Sequence, residues 1–171
     1  AITTLSATTQ RLSATGNADF GYFGGGVGSK STVNRIDYSN DTDIALVRGP
    51  LSIARYYMGA SSARANGFVP IGPALVSNAA AIAGSFNPTT FGYFGGGSPS
   101  NKSTVDRVDY SNDTVTTSVK GPLSVGRTSG GATGNNFFGY FAGGEPGPFS
   151  TVDRIDYSND TATAAVKGPL S

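Results

Sequence analysis

Three stretches of the chain repeat one another almost residue for residue. The segment from Phe91, FGYFGGGSPSNKSTVDRVDYSNDTVTTSVKGPLS, returns at Phe138 as FGYFAGGEPGPFSTVDRIDYSNDTATAAVKGPLS and stands at Phe20 as FGYFGGGVGSKSTVNRIDYSNDTDIALVRGPLS. Tyr93 to Tyr140 and Leu123 to Leu170 are both 47 residues, whereas Tyr22 to Tyr93 is 71, one period plus 24. A fixed period of this size means one supersecondary unit used several times, each copy covering apolar surface that its neighbour cannot bury alone. The chain therefore divides as one array over 1–171: a partial unit 1–19, repeat 1 over 20–66, a degenerate insert 67–90, repeat 2 over 91–137 and an incomplete repeat 3 over 138–171. The opening TTLSATTQRLSATGN aligns with GPLSVGRTSGGATGN at 121–135, so the array starts inside a unit.

Within a unit the pattern is β throughout. In STVDRVDY, Val105, Arg107 and Asp109 fall on one face and Thr104, Asp106, Val108 and Tyr110 on the other, the period of two that a strand requires. Ser-Asn-Asp then turns the chain, because Asn and Asp tolerate left-handed backbone and bond their own main chain. TVTTSV, rich in β-branched residues, reads as a strand that follows at once. A third strand is expected near 127–133 and a fourth in FFGYF, which makes one four-stranded antiparallel sheet per period. Only 78–84, rich in Ala, has a trace of helical character.

Composition supports this and removes much chemistry. The 25 Gly and 9 Pro suit either disorder or many tight turns, and 10 Phe with 8 Tyr favour packed strands. With 12 basic and 11 acidic residues the formal charge is +1, so neither sign has an excess to concentrate on a polyanion. The chain has no Cys and no His, which excludes thiol nucleophiles, imidazole bases and zinc sites built on either. No apolar run approaches the length of a membrane span, and the start at Ala1 reads as processed or as cut from something longer.

The order GYFGGG, RIDYSNDT, GPLS and then Arg55 or Arg127 resembles the kelch repeat of β-propellers, whose period is close to 50 residues. The kelch Trp position holds Asp43, Val115 and Ala162, and the Tyr position before the turn Asp holds Ile36, Val108 and Ile155, so the unit is kelch-like. The wording of the repeat also resembles tandem repeats in structural proteins of marine bacteriophages and cyanophages. Together these resemblances imply an all-β, kelch-like propeller of four-stranded blades, partial or completed by other chains. They also imply a non-enzymatic structural or adhesive protein of a virion surface or tail, virion-bound or extracellular, with multivalent carbohydrate binding as the alternative. Expected partners are further copies of the chain, other virion proteins or a host-surface glycan, and neither nucleic acid nor a membrane. The offset start is what closure by a shared blade produces, with the N-terminus completing the blade left open at the C-terminus. The alternatives are a ring or stack of several chains, or a section of a longer protein.

The repeated turns hold the candidate sites. Asp37, Asp41, Asp109, Asp113, Asp156 and Asp160 offer oxygens of the kind Ca²⁺ takes, although Asn-Asp is first a good hairpin turn. Arg35 with Asp37, Arg107 with Asp109 and Arg154 with Asp156 lie two apart on one strand face and are expected to pair where blades meet. Tyr22, Tyr93 and Tyr140 offer rings for stacking on a glycan, against the plainer reading as core. No residue set reads as catalytic, and no cofactor is expected. Variation between copies concentrates after the glycines (VGSK, SPSNK, EPGPF) and in the insert, so those segments are expected to line one partner-facing edge.

Overall fold

The computed structural model describes residues 4–63 and 91–171; the insert 67–90, with its stretch 78–84, lies outside the described residues. Among the described residues there are three four-stranded antiparallel sheets, each a simple meander. The first holds β1 (Ser13–Gly16), β2 (Phe20–Gly24), β3 (Val33–Asp37) and β4 (Leu46–Arg48). The second holds β5 (Gly59–Ser62), β6 (Phe91–Gly95), β7 (Val105–Asp109) and β8 (Ser118–Lys120), and the third β9 (Gly131–Gly134), β10 (Phe138–Ala142), β11 (Val152–Asp156) and β12 (Ala165–Lys167). A single turn of 3-10 helix, Tyr157–Asn159, follows β11.

Identical sequence yields identical register. Tyr22 lies opposite Thr15 and Arg35, Tyr93 opposite Ser61 and Arg107, and Tyr140 opposite Thr133 and Arg154. The glycines after the aromatic strand take positive φ in every copy, +76° at Gly25 and Gly96 and +67° at Gly143, where a side chain would strain the backbone. Arg11, Tyr57 and Ser129, equivalent in the alignment, share a left-handed φ of 62°, 55° and 59°. Main-chain bonds join these three positions from sheet to sheet, Tyr57 N–H to Arg11 O and Ser129 N–H to Tyr57 O.

Three expectations need correction. The sheets are out of phase with units cut at the aromatic strand, since the strand before each FGYF pairs with it. Among the described residues the N-terminal fragment supplies β1 of the first sheet, and the last sheet is finished by β12 of its own segment. The strand expected over 114–119 shrinks to Ser118–Lys120. The preceding residues bond to the neighbouring unit instead, with Gly49 N–H on Asp113 O and Thr117 N–H on Pro50 O. The insert 67–90, expected to share a partner-facing edge with the variable loops, lies outside the described residues.

The core lies between sheets. One cluster combines Tyr22, Val33 and Leu51 with Met58, Phe94, Val108 and Tyr110; the second combines Ala63, Tyr93, Val105 and Leu123 with Phe141, Ile155 and Ala164. Burying each large side chain contributes about 1.5–3 kcal/mol, and that gain exists only when two sheets are stacked. Two glycines allow the approach: a Cβ on Gly24 would stand 3.0 Å from the Phe94 ring, and one on Gly95 2.7 Å from the Phe141 ring.

Candidate functional site

The chemistry-bearing residues gather at the two junctions between sheets, in two matching sets. At the first junction Asp113, on the turn after β7, receives the Tyr22 hydroxyl at 2.8 Å and the Arg35 guanidinium at 2.8 Å, with Arg48 at 3.4 Å. At the second, Asp160 receives Tyr93 at 3.0 Å and Arg107 at 2.8 Å, with Lys120 at 3.3 Å. Each Tyr also stacks on the tyrosine of the neighbouring turn, Tyr22 on Tyr110 at 4.8 Å and Tyr93 on Tyr157 at 4.7 Å between centroids. The Tyr110 hydroxyl lies 2.9 Å from Thr15 Oγ1 across the junction, and Tyr157 lies 3.2 Å from Ser61 Oγ. Burial, then the adjoining carboxylate, pushes the Tyr22 and Tyr93 phenols well above their ordinary range; burial pushes Tyr157 up to about 12.

A buried guanidinium also ties the links before the second and third sheets to the sheet that follows. Arg55 accepts Gly26 N–H from the first unit on its carbonyl while its side chain enters the second sheet. There it donates to Gly96 O at 2.9 Å, Thr104 O at 2.7 Å, Phe94 O at 3.2 Å and Asp106 Oδ2 at 2.7 Å. Arg127 repeats this with Gly143 O, Thr151 O and Asp153 Oδ2, the last at 2.7 Å. Desolvation lowers the Arg55 pKa, and Asp106 opposes it. In the first unit the equivalent residues are Thr9 and Asn34, both uncharged, and Asn34 Oδ1 instead receives Ser6 N–H at 3.2 Å.

The expected residues are thus regrouped. Arg35 and Arg107 do stand where sheets meet, but their ion pairs are with Asp113 and Asp160 of the next unit rather than with Asp37 and Asp109. Asp37, Asp109 and Asp156 turn back on their own loops and accept from Ser39, Ser111 and Ser158. Those hydroxyl bonds, followed by the backbone ones, hold Asp37 and Asp156 below the usual carboxylate range. Five of the six aspartates are divided between these two roles; among the described residues no three carboxylates, His or Cys converge for a cation. Tyr22 and Tyr93 are fully buried, so neither presents a face to a sugar, while Tyr140 is half-buried. Arg154 lies over the Phe138 ring at 4.2 Å, as Arg35 does over Phe20 and Arg107 over Phe91.

Asp106 and Asp153 escaped the strand-face reading because both faces of the middle strands are covered. A signal for them was present: units two and three carry Arg and Asp together, and unit one lacks both. The edge strands β1, β5 and β9 also border a recess of about 370 Å³ lined by Thr15, Ser61, Thr133 and Tyr38. No known family model matches the chain, and no curated protein matches it significantly.

Proposed function

We propose that the chain is a non-enzymatic structural or adhesive repeat protein of kelch-like blades, a component of a virion surface or tail that binds neighbouring proteins or a host surface. The observation that carries this reading is the division of labour within each unit. Residues identical between copies are spent on joining sheet to sheet: Tyr22 and Tyr93, Asp113 and Asp160, Arg55 and Arg127. Much of the variation between copies falls in the loops between second and third strands, at 27–30, 98–102 and 145–149, which are half-exposed to exposed. A shared frame with variable loops at one end suits recognition by several related contacts, where weak single sites add through multivalency.

The test replaces each of the three loops by Gly-Ser residues of equal length and measures adsorption to bacterial cells and to purified virions. Reduced adsorption with an unchanged melting temperature is expected. Unchanged adsorption of the triple replacement overturns the reading.

A further inference from the structure

The two internal junctions are one interface used twice, and the chain presents both of its halves again at its two ends. On the third sheet Tyr140, Arg154 and Lys167 hold the places of Tyr22, Arg35 and Arg48, and of Tyr93, Arg107 and Lys120. There is no further turn in the described residues to meet them. Leu170 shows the consequence, because it is 50% exposed while its equivalents Leu51 and Leu123 are 2% exposed. On the first sheet the turn after β3 presents Tyr38, 54% exposed, where Tyr110 and Tyr157 stack in the other units, and Asp41 stands in the place of Asp113 and Asp160.

From this we infer that a second copy of the chain docks the turn of its first sheet on the open face of the third. The assembly is head-to-tail. In it the second copy's Tyr38 stacks on Tyr140 and approaches Thr133, and its Asp41 faces Arg154 and Lys167. Charge is complementary, and the contact continues an interface already formed twice.

Two details set its strength. At the internal junctions the incoming Phe94 and Phe141 rings pass over Gly24 and Gly95, but the third sheet has Ala142 there. The second copy's Phe23 must yield to that methyl, so this junction is weaker than the internal ones. In addition, Thr4 O already accepts Ala45 N–H, as Pro50 O accepts Thr117 N–H and Pro122 O accepts Ala164 N–H. Thr4–Ser6 of the second copy therefore fill the link position, and Gly168–Ser171 have no seat in the joined form. Those last four residues give way.

The inference rests on the repeat-protein reading but uses none of the variable loops, so the loop replacements and the assembly test fail independently. Sedimentation velocity on the 171-residue chain should show a mass that rises with concentration above 17.3 kDa. Tyr38→Lys and Lys167→Glu, both at exposed positions, should each leave monomers with an unchanged melt. An equimolar mixture of the two should form dimers and nothing larger, since only one pair of intact faces remains. Ala142→Gly should strengthen assembly, and truncation after Lys167 should not weaken it. A wild-type chain that stays monomeric at every concentration, or a single variant that assembles like wild type, overturns the proposal.

Discussion

Replacing Arg55 by Thr tests the view that buried ion pairs fasten links to sheets. The guanidinium and the Asp106 carboxylate are both 0% exposed and 2.7 Å apart. Arg55→Thr removes four donated hydrogen bonds and leaves Asp106 inside the protein without its cation. Removing one member of a buried pair costs about 3–5 kcal/mol. For a chain of this size, at about 2–4 °C per kcal/mol, the melting temperature falls by about 6–20 °C. The first unit supplies the control, because Thr9 and Asn34 occupy the same places with no charge at all. The double variant Arg55→Thr, Asp106→Asn should therefore recover stability, with a coupling of about 1–3 kcal/mol in the double-mutant cycle. Thermal melts followed by circular dichroism give both quantities. A single variant within about 2 °C of wild type, or a double variant at the sum of the two singles, would refute the reasoning.

Further outcomes follow from the junctions. Gly49→Ala and Gly121→Ala drive a methyl into the Val115 and Ala162 carbonyls of the next unit and should each lower the melt, whereas Gly168→Ala, with nothing within 4 Å, should leave it unchanged. Asp113→Ala strands Tyr22, Arg35 and Arg48 and should cost about 1–3 kcal/mol in a denaturant titration. Asp37→Ala, on an exposed turn, should cost far less. The phenols of Tyr22, Tyr93, Tyr110 and Tyr157 are raised on folding, so the unfolded chain loses those protons first. Their contribution is complete below about pH 10 and declines as pH rises above it. An alkaline titration of stability should show that decline, and Tyr93→Phe should make it shallower.

The sequence by itself determined what is local and what is periodic. Strand positions around FGYF and VDRVD and the turns at Asp-Tyr-Ser-Asn-Asp follow from residue types whose backbone preferences need no partner. The 47-residue period likewise determined that the sheets would be copies. What the strand pattern could not supply was the choice of partner. Arg107 and Asp109 share a strand face, yet Arg107 turns to Asp160, because the neighbouring sheet brings a buried carboxylate to 2.8 Å while Asp109 is engaged by Ser111 at the exposed turn. The stretch 114–119 has strand propensity throughout, yet only Ser118 and Val119 join β8, while Thr117 gives its N–H to Pro50 O of the neighbouring unit. Asp106 became the carboxylate of a buried staple only when Arg55, 51 positions away along the chain, was carried into its sheet by the link. Local preference acts within a few residues, whereas these pairings are set by the packing of one sheet on the next, and that arrangement exists only in three dimensions.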